Sequence, residues 1–325
     1  MKMAHSEVVV GIDVSKDKLD AQVLEPEQSR QVTSDAVGHR HLIQWAKRLE
    51  ASAVVMEASG GYERDVARAM RRAGFAVYVV DPKRVRHFAK ALGQLAKTDR
   101  IDARIIAQYG TTVLAAGRLP LPRPDDPKRE HLSDLLRTRA ALIEHRDVLQ
   151  QQMRATPAGS GRQALKDVHA SAKLRIKQLE RDMRELIAGH APFAALARRL
   201  DTVPGLGPIS IAALLAWLPE LGYAGREQIS ALVGVAPIAE DSGNHEGNRH
   251  IAGGRKKLRN VLYMPMVTAT SCNPVIAAYY KRLIAHGKAP KVAIVACMRK
   301  MLGIVTAMIV NQEDWAPRNG APAAA

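Results

Sequence analysis

The sequence predicts an α/β domain with a mixed sheet, then a helical hairpin or coiled-coil arm, then an all-α C-terminal domain with a helix-hairpin-helix-like element. Three observations lead there. Short β-branched runs alternate with helical patterns in the first part of the chain, the ordering expected of an α/β sheet. A Pro-rich break, Arg118 to Pro127 (RLPLPRPDDP), precedes two apolar repeats with spacings of three and four, which read as paired helices. From about Ala195 the chain reads as helices with short loops.

Taken in order, Val8 to Val14 is a β-branched run, and Leu19 to Leu24 alternates after the turn-like Ser15–Lys18 stretch, so the two form a hairpin. A third strand is expected near Arg30 to Thr33, and a helix over Val37 to Leu49. Ala53 to Met56 is a short buried strand ending at Glu57 and the Gly60–Gly61 break. A basic helix (Tyr62 to Arg72), Gly74, a strand (Phe75 to Val80) and the Asp81–Pro82 stop follow, then helices from Lys83. In the arm, Leu132, Leu135, Leu142, Leu149 and Met153 keep one register, interrupted by Arg139 and Arg146. Leu165, Val168, Ala172, Ile176, Leu179, Met183 and Leu186 make the returning stripe, with Thr156 to Gly161 as the turn between them. The expected boundaries are 1–117, a linker at 118–127, the arm at 128–190, the C-terminal domain at 195–312 and a frayed tail at 313–325.

Composition narrows the function. A hydrophobic content of 47% builds real cores. The net charge of +16 and pI of about 10.1 point to a polyanionic partner, nucleic acid before an anionic membrane. Aromatics are only 4%, so phosphate contact is expected over base stacking. The two cysteines, Cys272 and Cys297, form no disulfide or zinc pattern, which suits a reducing cytoplasm, beside the nucleoid. The start of the chain lacks the long apolar core of a signal peptide. Val292 to Val310 is apolar but broken by Arg299 and Lys300, and reads as a buried helix rather than a span.

Four carboxylates stand out. Asp13 and Glu57 each end an apolar strand, and Asp99 and Asp102 are three apart in KTDRIDAR. Residues three apart share a helical face. Two strand-end carboxylates plus two on one helical turn suit magnesium or manganese, which take oxygen ligands and keep positions for water and phosphate. Paired ions of this kind stabilise the attacking and leaving oxygens of a phosphoryl displacement. Each residue also has a plain reading: Asp13 as a turn opener, Glu57 as a surface residue, and Asp99 and Asp102 as helix caps.

The C-terminal half has two further motifs. Val203-Pro204-Gly205-Leu206-Gly207 before an apolar run looks like a helix-hairpin-helix turn, where Gly205 and Gly207 would let backbone N–H groups meet a phosphate. Its plain reading is an ordinary glycine turn. Asp241-Ser242-Gly243 followed by Gly247 to Arg255 is a glycine-rich basic loop. It leads into a helix with Lys256, Lys257 and Arg259, and Arg249 and Arg255 are placed to clamp phosphate oxygens. Ser242 is a candidate nucleophile that needs a base or metal to activate it; alternatively it only makes a turn.

Together these motifs resemble the DEDD transposases of insertion sequences, a family that includes the pilin-gene invertase and bridge-RNA-guided recombinases. The resemblance rests on Gly11-Ile12-Asp13-Val14-Ser15-Lys16, Met56-Glu57-Ala58-Ser59-Gly60-Gly61-Tyr62, Lys97 to Ala103, Pro204 to Gly207, Ser242-Gly243, Gly253-Gly254-Arg255 and Leu258-Arg259. It implies a RuvC-like (RNase H-type) N-terminal domain whose four acidic positions are Asp13, Glu57, Asp99 and Asp102, and a helical transposase domain whose serine is Ser242. It further implies that the two halves form one site, in which the serine attacks a DNA phosphate and forms a covalent link while the carboxylates hold magnesium, and that in some members a bridge RNA pairs with donor and target DNA. A dimer or tetramer is expected from the arm. The competing readings are a metal-dependent junction resolvase working through activated water, and a nucleic-acid-binding protein without catalysis.

Overall fold

The computed structural model describes residues 8–94, 99–117, 126–238 and 249–317, with the side chains of residues 99–101 excepted. The chain divides into two compact units, Met1–Asp125 and Asp126–Ala325.

The first unit is built on a five-stranded sheet. Its strands are β1 (Val9–Val14), β2 (Lys18–Val23), β3 (Gln28–Thr33), β4 (Ala53–Glu57) and β5 (Ala76–Val80). They lie in the order β3-β2-β1-β4-β5. β2 runs antiparallel to both neighbours, while β4 is parallel to β1 and to β5. A mixed sheet of this order is that of an RNase H-like domain. The helices are α1 (Ala36–Arg48), α2 (Glu63–Arg72), α3 (Pro82–Ala91) and α4 (Asp99–Ala115).

Period-two alternation sorts the strand side chains between two cores. Val10, Ile12, Val54 and Met56 pack with Leu42 and Trp45 of α1 and Val66 and Met70 of α2. Val9, Ala53 and Val55 point the other way, to Ile105, Ile106 and Tyr109 of α4. α1 starts where Asp35 accepts the N–H groups of Val37 and Gly38 at 2.9 and 2.8 Å, an N-cap that satisfies two otherwise orphaned donors.

The second unit is mostly helical. Its helices are α5 (Pro127–Ala155), α6 (Ser160–Ala188), α7 (Ala191–Asp201), α8 (Pro208–Trp217), α9 (Arg226–Val233), α10 (Lys256–Cys272), α11 (Pro274–Ala285) and α12 (Pro290–Val310). α8 is its axis: seven of its ten residues are buried. α12 is the one described helix long and apolar enough to cross a membrane. Its Ala293, Cys297, Met298, Met301, Leu302 and Val305 are nevertheless buried among the core helices.

Several expectations change here. Two short strands, β6 (Pro237–Ile238) and β7 (His250–Ile251), pair antiparallel within a region read as all helix. Two-residue strands are too short to leave a periodic signal. The returning stripe of the hairpin runs through His169, not Val168, which is 56% exposed. Strict alternation of four and three from Leu165 to Leu186 passes through His169; apolarity alone had favoured the valine. Arg139, an interruption of the first stripe, donates to Glu180 of α6 at 2.7 Å and so ties the helices together. Leu132, Leu136 and Met183 belong to the main core of the unit, so the base of the hairpin is continuous with it. The segment after 312 is docked rather than frayed over its first residues. Trp315 packs on the core and its N–H donates to the Thr202 hydroxyl at 3.0 Å.

Candidate active site

The carboxylate end of the first unit follows from strand parity. Val9 and Gly11 face α4, so Asp13 does too, at the C-terminal end of β1. On β4, Ala53 and Val55 face α4, so Glu57 shares that face. The parallel register aligns Ile12 with Met56, which makes Asp13 and Glu57 the next rung, on strands roughly 4.8 Å apart.

Two glycines set how α4 lies on this face. A Cβ at Gly110 would meet Val55 and Val9 side chains at 2.7 and 2.9 Å. A Cβ at Gly11 would meet the Ala107 nitrogen at 2.3 Å and the Ala103 oxygen at 2.5 Å. α4 therefore runs antiparallel to β1, with Gly110 over the start of the strand and Ala103 toward its end. Asp102, next to Ala103, lies at the end occupied by Asp13 and Glu57. All three carboxylates are half-buried and each has partners of its own. Asp99 begins α4 one turn earlier, and its side chain is outside the described atoms.

Hard oxygen donors from adjacent strands and one helix match the donor set of a magnesium or manganese site. Among the described residues, no three His, Cys, Asp or Glu side chains are closed into a metal-holding group. The match thus lies in shared face, shared end and donor chemistry.

Three neighbours of this end were not singled out in the sequence. Glu63 accepts the N–H groups of Ser59 and Gly61 at 3.0 and 2.8 Å and so shapes the loop leaving Glu57. Its signal was visible: a glutamate just after a glycine turn at a helix start. Asp20 pairs in register with Asp13 across β1 and β2. Gln31 donates to it at 2.7 Å and Lys18 lies at 3.7 Å. Beside it, Lys18, Asp20, Gln22, Ser29, Gln31 and Ala103 line a cleft of about 410 Å³. Nothing in the local sequence announces it, because it depends on strand pairing.

In the second unit, Ser242 lies outside the described residues, as do Asp241, Gly243 and Gly247. What is described is the base of the loop that carries it. β6 and β7 pair Pro237 with Ile251 and Ile238 with His250. The Arg255 N–H donates to the Leu232 carbonyl at 2.8 Å. Arg259 donates to the carbonyls of Val233 (3.3 Å), Gly234 (3.1 Å) and Gly253 (2.9 Å), spanning both sides of the loop. Gly234 and Gly254, both at positive φ, approach so closely that a Cβ on Gly254 would sit 2.3 Å from the Gly234 nitrogen. Only glycine fits such a left-handed, close contact.

This geometry revises two expected phosphate contacts. Arg255 is turned inward: it meets both oxygens of the buried Glu220 at 2.5 and 2.6 Å and the Trp217 carbonyl at 2.8 Å. Arg259 Nη1 is engaged by carbonyls. A glycine-rich loop with arginines looks the same in sequence whether those arginines face phosphate or fasten the loop. The expected helix-hairpin-helix contacts change likewise. The Gly207 N–H donates to the Ser210 hydroxyl at 2.9 Å. Gly205 packs on Ala269, where a Cβ would clash at 2.6 Å. Asn273 Nδ2 also fastens the Pro204 carbonyl at 3.1 Å. Arg249, Lys256 and Lys257 remain on the surface.

Comparison with known proteins gives consistent matches along the chain. Residues 10–156 match a transposase family of the DEDD, IS110 type, and residues 197–281 match the transposase IS116/IS110/IS902 family. Together they cover well over half of the chain. Pilin gene-inverting proteins of Moraxella lacunata and Moraxella bovis are each 28% identical over 96% of this chain and 99% of their own length. A putative transposase of Sinorhizobium fredii is 24% identical over 94% of this chain and 89% of its own. A solved structure of Thermus thermophilus RuvC, in complex with Holliday junction substrate, matches at 18% identity. It covers 35% of this chain and 99% of RuvC at a TM-score of 0.28. An RNase H-like sheet with carboxylates at one end, joined to a helical transposase region, defines a class of DNA-recombining enzymes. The chain belongs to the IS116/IS110/IS902 family of transposases.

Proposed function

We propose that this transposase cuts and rejoins DNA. Asp13, Glu57, Asp99 and Asp102 hold magnesium or manganese, and Ser242 is the nucleophile. The observation that carries the reading is that Asp13, Glu57 and Asp102 lie toward one end of one sheet face. A bound divalent cation would supply Lewis-acid stabilisation to a phosphate under attack. The Ser242 oxygen would bond to phosphorus as its hydroxyl gives up a proton, and a deoxyribose oxygen would leave. Attack by a second deoxyribose oxygen on the serine ester would then release the serine and reseal a strand. The fastened base of the serine loop supports this order of events, because a nucleophile gains from being held near its target.

Donor and target DNA are the substrates in this reading. Inversion, as in the names of the Moraxella relatives, is one outcome such chemistry permits. The α5–α6 hairpin would act as an assembly arm in a dimer or tetramer. A guide RNA would fit the lack of a clear base-reading motif, and sequencing the nucleic acid that copurifies tests it.

Ser242→Ala and Asp13→Ala should each lower strand exchange on a supercoiled substrate by at least about 100-fold, the scale of losing a catalytic group. A protein–DNA adduct trapped in denaturant should vanish in Ser242→Ala. Magnesium-dependent cleavage that survives Ser242→Ala would instead select hydrolysis by activated water.

A further inference from the structure

The charge of the second unit is concentrated in one segment. Residues 247–312 hold eleven Lys and Arg and no Asp or Glu. The rest of 126–325 is balanced, with seventeen of each sign. The segment begins at the serine loop, but its latter part, from Arg282 on, lies past the end of the matched transposase region at residue 281. There α11 turns into α12, and Lys281, Arg282, Lys288, Lys291 and Arg299 are exposed.

Two details of this corner bear on its partner. Arg68, Arg104, Arg129, Arg137, Arg139 and Arg255 each lie against a carboxylate. None of the five corner cations, nor Lys300, takes part in a salt bridge among the described residues. The Tyr279 ring is also flanked by two cations, with Arg282 Cζ 5.2 Å and Lys300 Nζ 4.8 Å from its centre. Like charges gathered on one ring without a counter-ion repel one another, and a polyanion relieves that repulsion.

We infer that the α11–α12 corner is a docking surface for the phosphate backbone of duplex DNA, separate from the serine loop. Duplex is favoured over single strand because Tyr279, the aromatic at its centre, is covered by cations and cannot serve as a stacking platform. Point-like lysine charges suit phosphates, which position a duplex without reading its sequence. The inference rests on the reading of the chain as a DNA-recombining enzyme, and it assigns the surface that holds DNA outside the reacting site.

The test is equilibrium binding of a random-sequence DNA duplex by fluorescence anisotropy over a salt series. It compares the full chain with the triple variant Lys281→Gln, Lys288→Gln, Lys291→Gln. Each phosphate contact contributes roughly −0.9 to the slope of log K against log salt. The triple variant should be shallower by about 2–3, equally on unrelated sequences. Lys281→Gln alone should change the slope by about 1, which keeps the test open if the triple variant folds poorly. An unchanged slope overturns the inference. So does a change seen only with an RNA duplex, or a loss seen only with phosphatidylglycerol vesicles. Binding is read without catalysis, so a failure of Ser242 or of the carboxylates in strand exchange leaves this result standing, and the reverse.

Discussion

Asp13 and Glu57 gain their meaning from the residues on either side of them. Val10, Ile12, Val54 and Met56 fill one core and Val9, Ala53 and Val55 the other, and that alternation aims both carboxylates at α4. The strands and the acidic residues were legible in sequence because β-branched runs ending in a charge are local signals. The facing of α4 was not, since it depends on how closely Gly11 and Gly110 let the helix approach. His39 of α1 is a residue with a testable titration. Burial holds its imidazole below the ordinary histidine value of 6.5, against the pull of Asp65 and Asp35. A depressed histidine favours the neutral form in the fold, so its contribution is complete above pH 6.5 and is lost as pH falls through that value. Thermal melts from pH 7.5 to 5 should show stability falling on acidification, and His39→Asn should flatten the fall. Asp35 acts in a lower window: the Gly38 N–H, foremost, holds its carboxyl down, so its share is lost only in the acid range of carboxylates.

At the scale of elements, arginine pairs divide by burial. Arg255 and Glu220 have side chains 18% and 9% exposed, whereas Arg139 and Glu180 are at 22% and 32%. Arg255→Ala would strand a buried carboxylate and should cost about 3–5 kcal/mol. Replacing both partners, Arg255→Met with Glu220→Leu, should restore most of that loss. Arg139→Ala should cost only about 1 kcal/mol or less. Urea unfolding of the full chain measures all three, and equal costs for the two single variants would contradict the ranking. The hairpin helices were legible because heptads repeat over many turns. The inward turn of Arg255 was hidden, because Glu220 is 35 residues away and nothing near either residue marks the pair.

At the scale of the molecule, the same +16 that pointed to nucleic acid is unevenly spread. Composition gave the sign and the partner class; only the helix corner located the surplus. The family was legible from motifs in both halves of the chain. The seat of α4 on β1 has a consequence for descent. Where a helix backbone rests on a strand backbone at Gly11, no side-chain layer stands between them to absorb a change. Drift elsewhere in the sheet can be repaired by repacking; drift at Gly11 has no such repair. A saturation library selected for transposition should therefore retain glycine alone at codon 11, while neighbouring core codons such as Val10 and Val54 exchange among Val, Ile and Leu. In selective terms Gly11 would be as immovable as the carboxylates, though it takes part in no chemistry.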